Sequence, residues 1–117
     1  MVFSTKVKEM VKILDEKKAK DIVVLDVSSS TIMADYFIIC TGNSNVQVRR
    51  LAEELEDEMS KQGTSRYKAE GLNEGRWVVA DYGDVLVHVF HREEREFYDI
   101  ERLWKTADNF EEIKSED

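Results

Sequence analysis

The chain has no proline among its 117 residues, a single cysteine and five glycines. Without proline or a low-complexity stretch, nothing marks an interdomain linker, and 117 residues suffice for one domain with a core of its own. The lone thiol, Cys40, has no internal partner. It lies in the apolar run Tyr36 to Cys40, where a small core residue is expected rather than a nucleophile, and a reducing compartment fits it. Nowhere do about eighteen apolar residues run together, and Met1 to Lys12 alternates charge with apolar residues. The chain is therefore expected to be cytoplasmic, neither exported nor membrane-spanning. Basic residues are also in short supply: 17 against 25 acidic, a net charge of −8. That balance argues against DNA or another phosphate backbone as the main partner, and it suits either solubility alone or a basic protein surface. Direct RNA binding lacks a basic stripe with interleaved aromatics.

Helical spacing appears first in Phe3, Val7, Met10, Val11 and Leu14. Ile22 to Leu25 with Val27, and then Tyr36 to Thr41, read as strands apolar on both faces, separated by the Ser-rich connector Ser28 to Thr31. Ser44 and Gln47 have the spacing of a capping box. The helix they open buries Val48, Leu51, Ala52, Leu55 and Met59 and stops at Gly63, and its acidic run Glu53 to Glu58 forms a solvated face. Tyr67 to Ala69 are a weak strand candidate. A last amphipathic helix is marked by Phe97, Ile100, Leu103, Trp104 and Ala107, with Trp104 on its core stripe. The expected organisation is a single α/β domain over residues 1–109, a mixed β-sheet with flanking helices, followed by an acidic, frayed tail at 110–117. The strand-helix-strand order in the middle favours a parallel pair.

The most informative stretch is W-V-V-A-D-Y-G-D-V-L-V-H-V-F, residues 77–90. It reads as a hairpin. If Tyr82 and Gly83 form the loop, Trp77 faces His88, Val79 faces Leu86 and Asp81 faces Asp84, all on one side. A longer loop with Gly83 at the positive-φ position would change that register. Val78, Ala80, Val85, Val87 and Val89 make the opposite side, small aliphatics suited to lying under a helix. Trp77 has two readings: packed beneath another helix, or exposed among polar neighbours as the anchor of a binding surface.

Enzymatic motifs fare poorly against this background. Thr41-Gly42-Asn43-Ser44 opens a helix but has one glycine and no lysine, too little for a P-loop or a dinucleotide fingerprint. Asp81 and Asp84 could pair on a divalent cation, yet two ligands are too few, and aspartates beside a glycine are ordinary turn residues. His88 and His91 point to opposite faces of a regular strand. No metal, cofactor or catalytic residue is expected. The rival reading is a degenerate nucleotidyltransferase or metal-dependent phosphohydrolase using Asp81, Asp84 and His88.

Three ordered segments carry a resemblance: D-Y-F-I-I-C-T-G-N-S with Gln47, the hairpin above, and F-Y-D-I-E-R-L-W-K-T-A. From about Val7 to Ala107 the chain closely resembles the ribosomal silencing factor family, also called the Iojap family, with Ala80 smaller than the aliphatic residue expected there. The resemblance implies a nucleotidyltransferase-like core without its catalytic motifs. It further implies binding to a basic protein of the large ribosomal subunit, the fourteenth by standard naming, at the surface that meets the small subunit. Occupying that place would keep the subunits apart and lower translation when nutrients are short. A weak homodimer through the same face is also implied. Face geometry and resemblance together put Trp77, Val79, Leu86 and His88 at the centre of the contact, with Asp81, Tyr82, Asp84 and Tyr98 around them.

Overall fold

The computed structural model describes residues 3–115. In chain order it contains α1 (Thr5–Glu16), β1 (Lys20–Asp26), β2 (Tyr36–Gly42), α2 (Asn45–Lys61), β3 (Lys68–Glu70), β4 (Trp77–Asp81), β5 (Val85–His91), α3 (Arg92–Tyr98), α4 (Ile100–Trp104) and β6 (Phe110–Glu112). The strands form one mixed sheet in the order β3-β4-β5-β2-β1-β6. Among the described residues β2 and β5 run parallel and the other pairings are antiparallel. The parallel partner of β2 is thus the third strand after α2, because β3 and β4 first turn back on one another at the sheet edge.

Both long helices begin where the sequence offers a hydroxyl cap. Ser4 Oγ accepts the Val7 N–H at 3.2 Å, and Ser44 Oγ accepts the Gln47 N–H at 3.0 Å. The Gln47 side chain reaches back to accept the Asn43 N–H, so the predicted capping box forms one residue wider than the ideal one. Each helix lays its apolar stripe on the same side of the sheet. Val7, Met10, Ile13 and Leu14 of α1, together with Val48, Leu51, Leu55 and Met59 of α2, meet Val78, Ala80, Val85, Val87 and Val89 in one buried cluster. Burying each such side chain contributes about 1.5–3 kcal/mol. Cys40 lies in it, fully buried, its thiol pushed up to about 12 by burial. A thiol held protonated in this way is inert as a nucleophile.

The hairpin differs from its predicted register by two residues. Trp77 pairs with Phe90, Val79 with His88 and Asp81 with Leu86. The loop is Gly83-Asp84, closed by the Tyr82 N–H donating to the Val85 carbonyl at 2.9 Å. Gly83 takes φ +87°, and a Cβ there would lie 2.9 Å from the Tyr67 ring. Glycine first in a two-residue loop matches the strand twist, which Tyr82 could not have done. A shift of two leaves every side chain on its predicted face. The pairing of Asp81 with Asp84 is lost.

Two further expectations change at the C-terminal end. The predicted single helix is broken at Asp99, which adopts φ 42° and ψ 53° and separates α3 from α4. Neither short helix has a buried residue. The apolar stripe is split accordingly: Ile100 and Trp104 pack on the sheet, while Phe97 and Leu103 remain 80% and 73% exposed. Residues 110–112, expected to fray, instead form the edge strand β6 on β1, and the Ile113 N–H donates to the Ile22 carbonyl. Unpaired backbone groups along β1 make that edge favourable even for an acidic segment. The last part of the predicted tail, 116–117, lies outside the described residues. Among the described residues no helix is long and apolar enough to cross a membrane.

Candidate partner-binding face

The side of the sheet away from α1 and α2 is built from the alternate residues of the same strands. Val23 and Leu25 of β1, Phe37 and Ile39 of β2, and Leu86 and Phe90 of β5 are buried there with Val27 and Ala34. Trp77, Val79, Ile100, Trp104 and Phe110 pack partly buried around them. Its centre is aromatic. The Trp77 indole stacks on Phe90 at 4.8 Å and is flanked by Tyr98 at 4.9 Å. Phe37 meets His88 edge-on at 4.9 Å and Trp104 at 5.2 Å. Offset and edge-on contacts of this kind hold rings in fixed orientation beyond what area alone gives.

His88 sits in the middle of β5 and is 6% exposed. Its Nδ1 accepts a hydrogen bond from Trp77 Nε1 at 3.2 Å. Indole N–H only donates, so Nδ1 must be bare and the imidazole proton resides on Nε2. Burial lowers the histidine from its ordinary value to about 4, which keeps the ring neutral at physiological pH. His91, by contrast, ends β5 and caps α3, its Nδ1 accepting the Glu93 N–H. The two histidines therefore do separate work, as their strand parity requires.

The short helices that border this face are held by two arginines. Arg95 Nη1 donates to the Asp21 carbonyl and to Thr41 Oγ1, while its Nε and Nη2 bind Glu101 in a two-pronged pair. One side chain thereby ties α3, α4 and the end of β2 together. Arg76 donates to Glu94, and this bond holds the Glu94 carboxyl below the usual carboxylate range. The two-pronged Arg95–Glu101 pair fixes geometry as well as charge. With the helices fixed, Tyr98 is left 50% exposed beside Trp77.

The residues predicted for the site thus divide. Trp77, Val79, Leu86, His88 and Tyr98 are brought together on one face, and Asp81 shares that face at the end of β4. Asp81 is occupied locally, its Oδ1 accepting the Gly83 N–H at 2.8 Å. Asp84 turns toward α1, where Lys6 Nζ binds it at 2.7 Å. Tyr82 does not belong to the surface. Its ring is 1% exposed in the helix-covered core, and its hydroxyl donates to Glu56. Asp81, Asp84 and His88 do not converge on a common point, and among the described residues no group of three or more acidic, histidine or cysteine side chains is arranged to hold a metal.

Sequence reasoning missed several members of the face, Phe90 and Phe37 foremost among them. Phe90 has the same strand parity as Trp77 and His88, and it went unnoticed because the two-residue register error set His88 opposite Trp77. Phe37 lies in a run apolar on both faces, which hides parity altogether. Ile32 and Met33 also stand exposed in the connector whose Ala34 packs into this cluster.

These features define an α/β domain with one helix-covered face and one aromatic, incompletely covered face. The comparisons with known proteins make the class specific. Residues 3–117 match the family model described as ribosomal silencing factor during starvation. A Bacillus subtilis ribosomal silencing factor is 48% identical over 93 residues, covering 80% of this chain and 79% of its own. The chloroplastic Iojap protein of Zea mays is 34% identical over 98 residues, 84% of this chain and 42% of that one. A crystal structure of a Chromobacterium violaceum protein superposes with a TM-score of 0.85 at 35% identity, covering 99% of this chain and 97% of that chain. A Bacillus halodurans structure gives 0.78 at 40% identity, over 90% and 99%. This chain belongs to the ribosomal silencing factor family, whose names describe translational regulation at the ribosome and not an enzyme.

Proposed function

We propose that this protein binds a basic protein of the large ribosomal subunit, the fourteenth by standard naming, at the intersubunit face. There it sterically blocks joining of the small subunit, repressing translation under nutrient limitation in the cytoplasm. The observation that carries this reading is the half-covered aromatic face: Trp77, Val79 and Tyr98 reach solvent above a floor of Leu86, His88, Phe90 and Phe37. Partly exposed aromatics over a packed floor are what interface hot spots are made of. Asp81 belongs to the polar rim, and a net charge of −8 suits a basic partner by steering encounter and fixing orientation. Steric exclusion needs no chemistry, in keeping with two aspartates committed to a turn and an ion pair. The deciding experiment is sedimentation of purified small and large subunits with and without the protein. Co-sedimentation with the large subunit and fewer joined ribosomes are expected; failure of either removes the reading.

A second use of the same face is a weak homodimer, favoured by Phe97, Tyr98 and Leu103, which extend the exposed apolar surface beyond Trp77. Sedimentation velocity across a concentration series checks it. If dimer and ribosome share the face, added large subunits should dissociate the dimer. The rival enzymatic reading predicts nucleotide or metal binding; calorimetric titration with either should give no heat of binding.

A further inference from the structure

Three local irregularities meet at one side chain, Arg95. Opposite β2 the strand β1 carries an extra residue between Lys20 and Val23, and Asp21 inside that bulge takes φ 49°. A bulge turns backbone groups out of the ladder. The Asp21 carbonyl accepts Arg95 Nη1 at 2.6 Å. Thr41, near the end of β2, is a polar residue only 1% exposed, and its hydroxyl accepts the same nitrogen at 2.9 Å. Asp99, the joint between α3 and α4, is left-handed as well, and Arg95 spans it, its Nε and Nη2 reaching Glu101 at 2.9 and 3.1 Å. Left-handed backbone in a residue other than glycine and a buried hydroxyl each cost stability unless their surroundings enforce them. One guanidinium meets all three. Apolar packing does not replace it, for neither α3 nor α4 has a buried residue, and helices this short do not persist alone in water.

Resting on the reading that the aromatic face is the ribosome-binding surface, we propose that Arg95 is a positioning residue for the partner: it clasps α3 to α4 and to the sheet, and so sets Tyr98 against Trp77 where the partner lands. Tyr98 is the last residue of α3, within the segment 95–101 whose ends the Arg95 and Glu101 side chains join. Its ring lies 4.9 Å from the indole and is half exposed. Arg95 itself does not reach outward, since its side chain is 13% exposed and its positive charge would oppose a basic partner. Its effect passes through the tyrosine. Holding a ring in place before contact spares the ordering cost at binding. The task also needs arginine. Lysine is a point charge with three donors on a flexible stem, whereas the planar fork holds a carboxylate with two nitrogens and serves a carbonyl and a hydroxyl with the third.

Arg95→Gln should weaken binding to purified large ribosomal subunits roughly tenfold, the scale of one interface aromatic held out of place. Tyr98→Ala should weaken it similarly, and Arg95→Gln/Tyr98→Ala should bind no more weakly than Tyr98→Ala alone, because the clasp then has no ring left to place. In the free protein, proton NOEs between the Trp77 and Tyr98 rings should be present in wild type and lost in Arg95→Gln, while those between Trp77 and Phe90 persist. Arg95→Lys should behave as Arg95→Gln does. A purely structural role would instead lower the unfolding midpoint and add its loss of binding to that of Tyr98→Ala. Such additivity overturns the proposal, as does wild-type affinity or an intact contact between Trp77 and Tyr98 in Arg95→Gln, or full rescue by lysine. Should Arg95→Gln fail to fold, Glu101→Ala leaves the bonds to Asp21 and Thr41 in place and opens only the clasp across Asp99. The same loss of ring contact and of affinity is expected there, and wild-type values overturn the proposal. If wild type itself fails to bind large subunits, the reading of the face has failed, a result distinct from wild type and Arg95→Gln binding equally.

Discussion

The two faces of this sheet are made from alternate residues of the same strands, yet they are finished differently. On one, two long capped helices cover small aliphatic side chains in the larger buried apolar cluster. On the other, two helices of seven and five residues, without a buried residue between them, flank a cluster of aromatic rings with a histidine inside it. The difference teaches how one domain can divide its labour. The aliphatic face is buried beneath its helices and holds the fold. The aromatic face is packed yet left partly open, the arrangement that the proposed interface would use with little reorganisation.

That division can be broken most forcefully from the helical side. Leu55→Ala, at a fully buried position of α2, should cost about 3–5 kcal/mol in chemical denaturation through lost burial and a residual cavity. Protein that remains folded should bind large subunits as wild type does. Loss of affinity in the folded fraction would show that the faces are coupled.

From the other side, Trp77→Ala should invert the pattern. Because the ring is only partly buried, the stability loss should be smaller than for Leu55→Ala, about 1–3 kcal/mol. Binding should fall by roughly 2–4 kcal/mol, about thirtyfold to several hundredfold. Unfolding and subunit binding measured on the same protein decide between the roles: wild-type binding by a stable mutant removes Trp77 from the site.

Acidity provides a third probe, specific to the aromatic face. His88 titrates near 6.5 when unfolded, and burial lowers it to about 4 in the fold. Between those values only the unfolded chain takes up the proton, so its contribution is complete above about pH 6.5 and is lost as pH falls toward 4. The loss amounts to at most about 3 kcal/mol. Comparing denaturation of wild type and His88→Asn across this window isolates it from the carboxylates, and equal slopes would contradict a buried neutral ring.

The smallest effects belong to surface charge. Asp84→Asn removes the part-exposed ion pair with Lys6, and it should change stability by about 0–1 kcal/mol. Association with large subunits should slow as salt rises, since the Debye length is about 8 Å at physiological ionic strength. A stopped-flow on-rate independent of salt would mean that the acidic surface faces away from the partner.

Much of this contrast was legible in strand parity. Val78, Ala80, Val85, Val87 and Val89 read as a surface for helices, Trp77, Val79, Leu86 and His88 as its opposite, and the structure keeps both groups intact. Parity survives a register error of two, which is why the faces were right while the partners across the hairpin were not. Tyr82 was misplaced for the same reason. Counted as a loop residue it had no face, whereas as the last paired residue before Gly83 it points inward to Glu56. The C-terminal helix failed for another reason: its 3.6-residue spacing runs through Asp99, but periodicity carries no sign of a residue turning left-handed, and no glycine announced it.

The sequence by itself determined the class of elements, their caps, the two-faced strands and the excess of negative charge, because each follows from residues close together in the chain. Tertiary structure alone decided that β2 would lie beside β5, that 110–112 would be taken up as an edge strand, and that Phe37, Phe90 and Tyr98 would surround the Trp77 and His88 pair. Those outcomes depend on contacts between distant segments, where burial and unpaired backbone groups are settled jointly across the sheet. The orientation of His88 belongs with them, since folding sets the Trp77 indole against its Nδ1 and packs aromatic rings around the imidazole.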